Sequence, residues 1–278
     1  MPDLWNDLLA CLELRADASA DLPDSDTPAT SAVFEGTNQQ LEYHRLFGGQ
    51  LLGQFVRAAE AACPTKRIKS LHALFPREGK ASEPVRYEVT RQHEGRSFAT
   101  LSIVASQSSG VIGTASVSMH VGEDGPELQT VESVPPVLGE NDRARVDLIP
   151  WEIRTTEDLN SYESSPPEYE MWMRTPEVDP ALAPALTAYA TDLTLIGTAL
   201  RPLEGLAQTG NGTVFTSAVT SHTLWFHRPF RTDEWLLVRQ HSPLIAHGRC
   251  FGRGDVLDEK GTLVASFAQE ALLRLPRP

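Results

Sequence analysis

Apolar and polar positions run through this chain in two rounds of one rhythm: a segment with helical spacing, then a series of short alternating segments. In the first round Leu51, Leu52, Phe55, Val56, Ala59 and Ala62 recur every three to four places behind Gly48 and Gly49, which predicts a helix opened by the glycine pair. Those glycines would let another backbone or a ligand approach the first N–H groups, and plain packing explains them equally well. The alternating runs SLHALF, VRYEVTRQ, SFATLSIVASQ and VIGTASVSMHV follow, separated by turn-forming REGKASEP, HEGR and SSG. Ahead of this round lie an amphipathic stretch from Leu4 to Leu14, a turn-rich connection from Ala16 to Ser31 and a strand near Ala32 to Glu35.

Residues 122–145, with their acids and Pro135-Pro136, break the rhythm and read as a linker between a first repeat at 32–121 and a second at 146–278. The second round has a helical pattern from Ala181 to Leu200. Strand patterns then follow at SHTLWFHRPF, EWLLVRQHS, AHGRCFGRGDVLD and GTLVASFAQEALLRL. SLHALFPRE is similar to SHTLWFHRP, and Gly110 to Ser116 is similar to Gly261 to Ser266, so the chain reads as an internal duplication. One helix wrapped by an antiparallel sheet, present twice, is an α+β double hotdog.

One residue disturbs the second helical pattern. Asp192 has Ala188, Tyr189, Leu195 and Ile196 three and four places away, none of which brings a charge or an amide. Burial disfavours an ionised carboxyl, so an acid placed there is either fixed by hydrogen bonds or used as a proton acceptor. A general base is the functional reading; a cap or fringe of the helix in water is the alternative.

With 24 basic and 37 acidic residues among 278, the net charge is −13, which disfavours a phosphate-neutralising nucleic-acid surface. No stretch approaches the roughly 18 to 20 apolar residues of a membrane span, and the acidic N-terminal segment does not read as a signal peptide, so a cytoplasmic protein is expected. Cys11, Cys63 and Cys250 are scattered and odd in number, which argues for free thiols and against a zinc site.

The stretches FGGQLLGQ, SLHALFPREG, YATDL, HTLWFHRPFRTDEWLL and GTLVASFAQEALLR together resemble the acyl-CoA thioesterase II family, from about Phe34 to the C-terminus. The resemblance implies hydrolysis of acyl-CoA to fatty acid and CoA without metal or cofactor. It also implies a site of three side chains: an aspartate on the second hotdog helix, a serine or threonine just before the D-H-S-x-W-F-H-R segment, and a glutamine before E-G-x-x-R. These fall on Asp192, on position 219 and on Gln269. Position 219 is Val, a departure from the pattern. Strand alternation puts Val219 and Ser221 on one face and Thr220 and His222 on the other. Ser221 is therefore one substitute donor, and Thr220 is another if the strand carries a bulge.

Physically, thioester hydrolysis needs an oriented water, a base for its proton and donors for the oxyanion. Asp192 suits the base, and Gln269 offers a donor and an acceptor to place the water. Arg77, Arg228 and Arg231, on loops flanking strands, could form a basic rim for CoA phosphates; surface solubility and salt bridging is their other reading.

Gly248-Arg249-Cys250-Phe251-Gly252 matches a nucleophile-elbow spacing, but strand rather than helix follows it. The hydratase branch of the hotdog fold would resemble an aspartate followed five places on by histidine, where this chain has Gly197. His72, His222 and His227 read as strand residues with satisfied rings rather than as bases or ligands. A non-catalytic acyl-CoA binding protein is the competing class. The apolar strand faces and the resemblance together imply at least a homodimer.

Overall fold

The computed structural model describes residues 3–17, 31–41 and 45–275. Most of the expected connection from Ala16 to Ser31 lies outside the described residues. The chain divides into two compact units. One runs to Glu127 and includes Pro184–Tyr189; the other comprises Leu128–Ala183 and Ala190 onward.

The first unit begins with helix α1 (Leu4–Cys11), whose opening N–H groups on Trp5 and Asn6 are capped by the Asp3 carboxylate. Short β1 (Arg15–Ala16) and β2 (Ser31–Gly36) follow, then helix α2 (Gly48–Ala62) and strands β3 (Arg67–Leu74), β4 (Val85–Glu94), β5 (Phe98–Gln107) and β6 (Gly110–His120). They form an antiparallel sheet in the order β1-β2-β4-β5-β6-β3. The helical stripe expected from the sequence does face the sheet: Leu52, Phe55, Val56 and Ala59 are fully buried. Large side chains so buried contribute about 1.5–3 kcal/mol each. The glycine pair opens α2 because a backbone approaches it: a Cβ on Gly49 would lie 2.5 Å from the Tyr189 carbonyl oxygen and 2.5 Å from the Phe47 ring.

In the second unit are β7 (Arg143–Ala144), β8 (Glu152–Arg154) and β9 (Glu168–Arg174); helix α3 (Ala183–Thr191) follows, its Pro184–Tyr189 stretch grouping with the first unit, and then helix α4 (Leu195–Leu200) of the second. The unit ends in β10 (Thr216–Phe226), β11 (Leu236–Ala246), β12 (Arg249–Asp258) and β13 (Leu263–Arg274). Its antiparallel order is β10-β13-β12-β11-β9-β8-β7. The 128–134 stretch lies along this unit. Gln129 bonds Gly261 and Leu263, and Arg239 donates to the carbonyls of Glu132 and Ser133.

Both units share one topology. A strand before the helix (β2, β9) pairs with the first strand of a three-strand meander, and the strand after the helix (β3, β10) pairs with the last. The duplicated segments SLHALFPRE and SHTLWFHRP thus begin on corresponding strands, and the fold is the α+β double hotdog. Among the described residues no helix is long and apolar enough to cross a membrane.

Candidate active site

The continuous helix read through Ala181 to Leu200 is broken, and the break falls at Asp192. Asp192 closes α3 as its C-cap, Leu193 and Thr194 turn the chain, and α4 starts at Leu195. The alternative reading is right about the helix end and wrong about the solvent: the acid caps α3, yet it is 5% exposed rather than in water. Room for α4 comes from β12, where a Cβ on Gly252 would lie 2.5 Å from the Leu195 side chain. Gly252 pairs across the ladder with Gln269 of β13, so the glycine spacing in GRCFGRGD seats the helix break against the strand that carries the glutamine.

Gln269 is 2% exposed, and its register partner on β10 is His222, which is fully buried. His222 Nδ1 lies 2.9 Å from Gln269 Oε1 and 3.9 Å from Asp192 Oδ1, while Nε2 lies 3.1 Å from the Thr191 hydroxyl. The ring also stacks on Phe267, with centroids 6.0 Å apart and planes 5° from parallel. Burial lowers the His222 pKa from 6.5 to about 4 against the opposing hydrogen bond from Gln269, so the imidazole is neutral near pH 7. With Gln269 Oε1 facing the histidine, its Nε2 is buried with no hydrogen-bond partner among the described residues. The amide therefore turns donors, not an acceptor, away from the ring.

His222 is as satisfied as the sequence reading supposed, but it sits at the centre of the cluster. Its partners are 31 and 47 residues away: the pairing of β10 with β13 brings Gln269 to it, and the end of α3 brings Thr191.

The strand alternation read for positions 219 to 222 needs correction. A bulge between Val219 and Ser221 shifts the register: Val219 opposes Ala271, Ser221 opposes Glu270 and His222 opposes Gln269. Val219 thus shares the face of His222 and Gln269, and Ser221 points to the other face. The bulge envisaged for Thr220 is present, but the Thr220 hydroxyl donates to the Glu270 carbonyl at 3.0 Å.

Other sequence candidates lie apart from this cluster. Arg228 donates to the Leu263 carbonyl and to Gln129, and Arg231 clamps Asp233. Arg228 stands six residues beyond His222, roughly 20 Å along the strand direction. Arg77 is exposed, beside the Gly110 turn of the first unit. His72 is an exposed residue of β3, and His227 bonds Ser266. Cys250 lies within continuous β12, packed among Ala199, Leu200, Phe215, Ala271 and Leu273, with its thiol pushed up to about 11 by burial. That is neither an elbow nor an activated nucleophile.

A buried carboxyl and a buried amide thus meet at one neutral histidine within the second hotdog unit. The acyl-CoA thioesterase N-terminal domain family model matches residues 39–120, and the acyl-CoA thioesterase C-terminal domain model matches residues 122–273. The acyl-CoA thioesterase 2 of Haemophilus influenzae is 30% identical over 99% of both chains. The human acyl-coenzyme A thioesterase 8 is 28% identical over 89% of this chain and 86% of its own. A solved acyl-CoA thioesterase II of Mycobacterium marinum superposes with a TM-score of 0.76 at 28% identity, covering 97% of this chain and 98% of that one. The chain belongs to the acyl-CoA thioesterase II family.

Proposed function

We propose that this protein hydrolyses acyl-CoA thioesters, with Asp192 as general base for the attacking water and Gln269 as the donor that positions it. The observation that carries this reading is the convergence on His222 Nδ1 of the Asp192 carboxylate at 3.9 Å and the Gln269 amide at 2.9 Å, inside a unit where both are nearly inaccessible. A carboxylate removed from bulk water takes a bound water's proton, and an amide N–H aimed alongside donates to that water's oxygen. The water oxygen attacks the thioester carbonyl, the C–S bond breaks, and the thiol of CoA leaves with a proton. Arg228 and Arg231 remain candidates for the phosphate end of CoA, as do Arg77, Gly48 and Gly49 of the first unit.

The test is release of free thiol from a panel of acyl-CoAs of different chain length. Release above the background rate from at least one supports the reading. Tight acyl-CoA binding without release would favour the non-catalytic binding protein.

The departure at Val219 yields a directional expectation. Val219→Thr adds a hydroxyl on the face shared with His222 and Gln269 at nearly constant shape. We expect kcat to rise, by at most the roughly 10²–10³ that one oxyanion donor supplies, and Ser221→Ala to leave it unchanged. Unchanged turnover in Val219→Thr together with loss in Ser221→Ala would place the working hydroxyl on the other face.

Self-association is part of the same proposal. Trp225, Leu244 and Ile245 are between 37% and 52% exposed in the second unit, apolar surface that a subunit contact would cover. Light scattering at micromolar concentration should give at least twice the 30.5 kDa chain mass, and a monomer would refute the dimer.

A further inference from the structure

We propose that His222 is the positioning residue of the site: held in its Nδ1–H tautomer, it donates to Gln269 Oε1 and so directs the amide's N–H groups toward the reacting water. This rests on the reading of Asp192 and Gln269 given above and adds a tautomer and a direction to it. Three contacts fix the ring. The Phe267 stack sets its plane, the Thr191 hydroxyl meets Nε2 at 3.1 Å, and Gln269 Oε1 meets Nδ1 at 2.9 Å.

A neutral imidazole carries one proton, and the surroundings choose its place. A carbonyl oxygen can only accept, so the contact with Oε1 calls for a proton on Nδ1. The Asp192 carboxylate, 3.9 Å from the same nitrogen, favours it there too. Nε2 is then an acceptor, and a hydroxyl can donate to it without bringing a charge. Thr191 supplies that hydroxyl from the residue directly before Asp192. The chain Thr191 to His222 to Gln269 therefore links the end of α3 to β13 through β10.

The consequence at Gln269 is directional. An amide free to turn would present its oxygen to the site half the time, and an oxygen beside a carboxylate repels the oxyanion and competes for the water's protons. With Oε1 engaged, Nε2 is left buried without an acceptor among the described residues. His222 performs no proton transfer itself. Burial keeps it neutral, and both its nitrogens are already occupied.

The decisive experiment is nitrogen-15 NMR of the imidazole rings in the full-length protein near pH 7. The His222 signal is assigned by its absence from the His222→Phe spectrum or, if that variant does not fold, by its displacement in Thr191→Val. The expected result is a neutral ring protonated on Nδ1, the minority tautomer of histidine in water. In folded His222→Phe, which keeps the ring stack and loses both hydrogen bonds, kcat should fall by roughly ten- to a hundredfold while KM stays within about twofold, the signature of misplacement rather than lost binding. A proton on Nε2 would mean a reversed amide with Oε1 facing the site, and would overturn the proposal. So would parental kcat in a folded His222→Phe protein. The tautomer is read without turnover, so its result stands apart from whether Asp192 and Gln269 act as assigned.

Discussion

Asp192→Asn should lower kcat by roughly two to four orders of magnitude, the usual size of general-base assistance, while the protein folds and binds acyl-CoA as before. Asn has the same shape, so the turn between α3 and α4 is kept, as is the packing of Leu195 over Gly252. What is lost is the acceptor for the water's proton. Steady-state thiol release gives the rate, and a thermal melt alongside it gives the fold. Turnover near the parent's in a folded Asp192→Asn protein would remove the base from this residue.

Gln269→Ala has the second-largest expected effect. A buried donor aimed at a reacting water or developing oxyanion is worth about 10²–10³ in kcat, whereas KM should move only a few-fold because the ground state uses the contact less. The same change strips His222 Nδ1–H of its acceptor inside the protein, which costs about 1–3 kcal/mol of stability. A lowered Tm therefore accompanies the lowered kcat, and rates are to be compared well below the melt. A rise in KM with kcat intact would make Gln269 a binding residue.

The fold was legible because its signals are local. Helical spacing of Leu52, Phe55 and Val56, alternation in β4 to β6, and turn residues between them each specify an element within a dozen positions. The duplication then specified topology, since both rounds repeat one order of helix and strands. The candidate site was legible to the extent that its proposed residues stand in motifs: Asp192 as a lone acid in an apolar pattern, Gln269 through the family resemblance.

What escaped depends on pairing across distance. The helix break at Asp192 follows from α4 seating on Gly252, about 60 residues on, and nothing in ALTAYATDLTLIGTAL marks it. The bulge at Thr220 is a mismatch between β10 and β13, and it reverses the facing that alternation alone assigned to Ser221. His222 looked like an ordinary strand histidine because Gln269 is joined to it only by that register and Thr191 only by the packing of the end of α3. One available signal was its place in the HTLWFHRP segment, next to the departed hydroxyl position.

In the proposed reaction, a water that Asp192 deprotonates attacks the thioester directly. That attack is tested most directly by a single turnover of acyl-CoA, with protein in excess, in water enriched in oxygen-18. Direct attack places one labelled oxygen in the fatty acid formed in that first turnover and none on Asp192. Unlabelled fatty acid with the label on the Asp192 carboxylate would show that Asp192 attacks the thioester as a nucleophile, and would contradict the account.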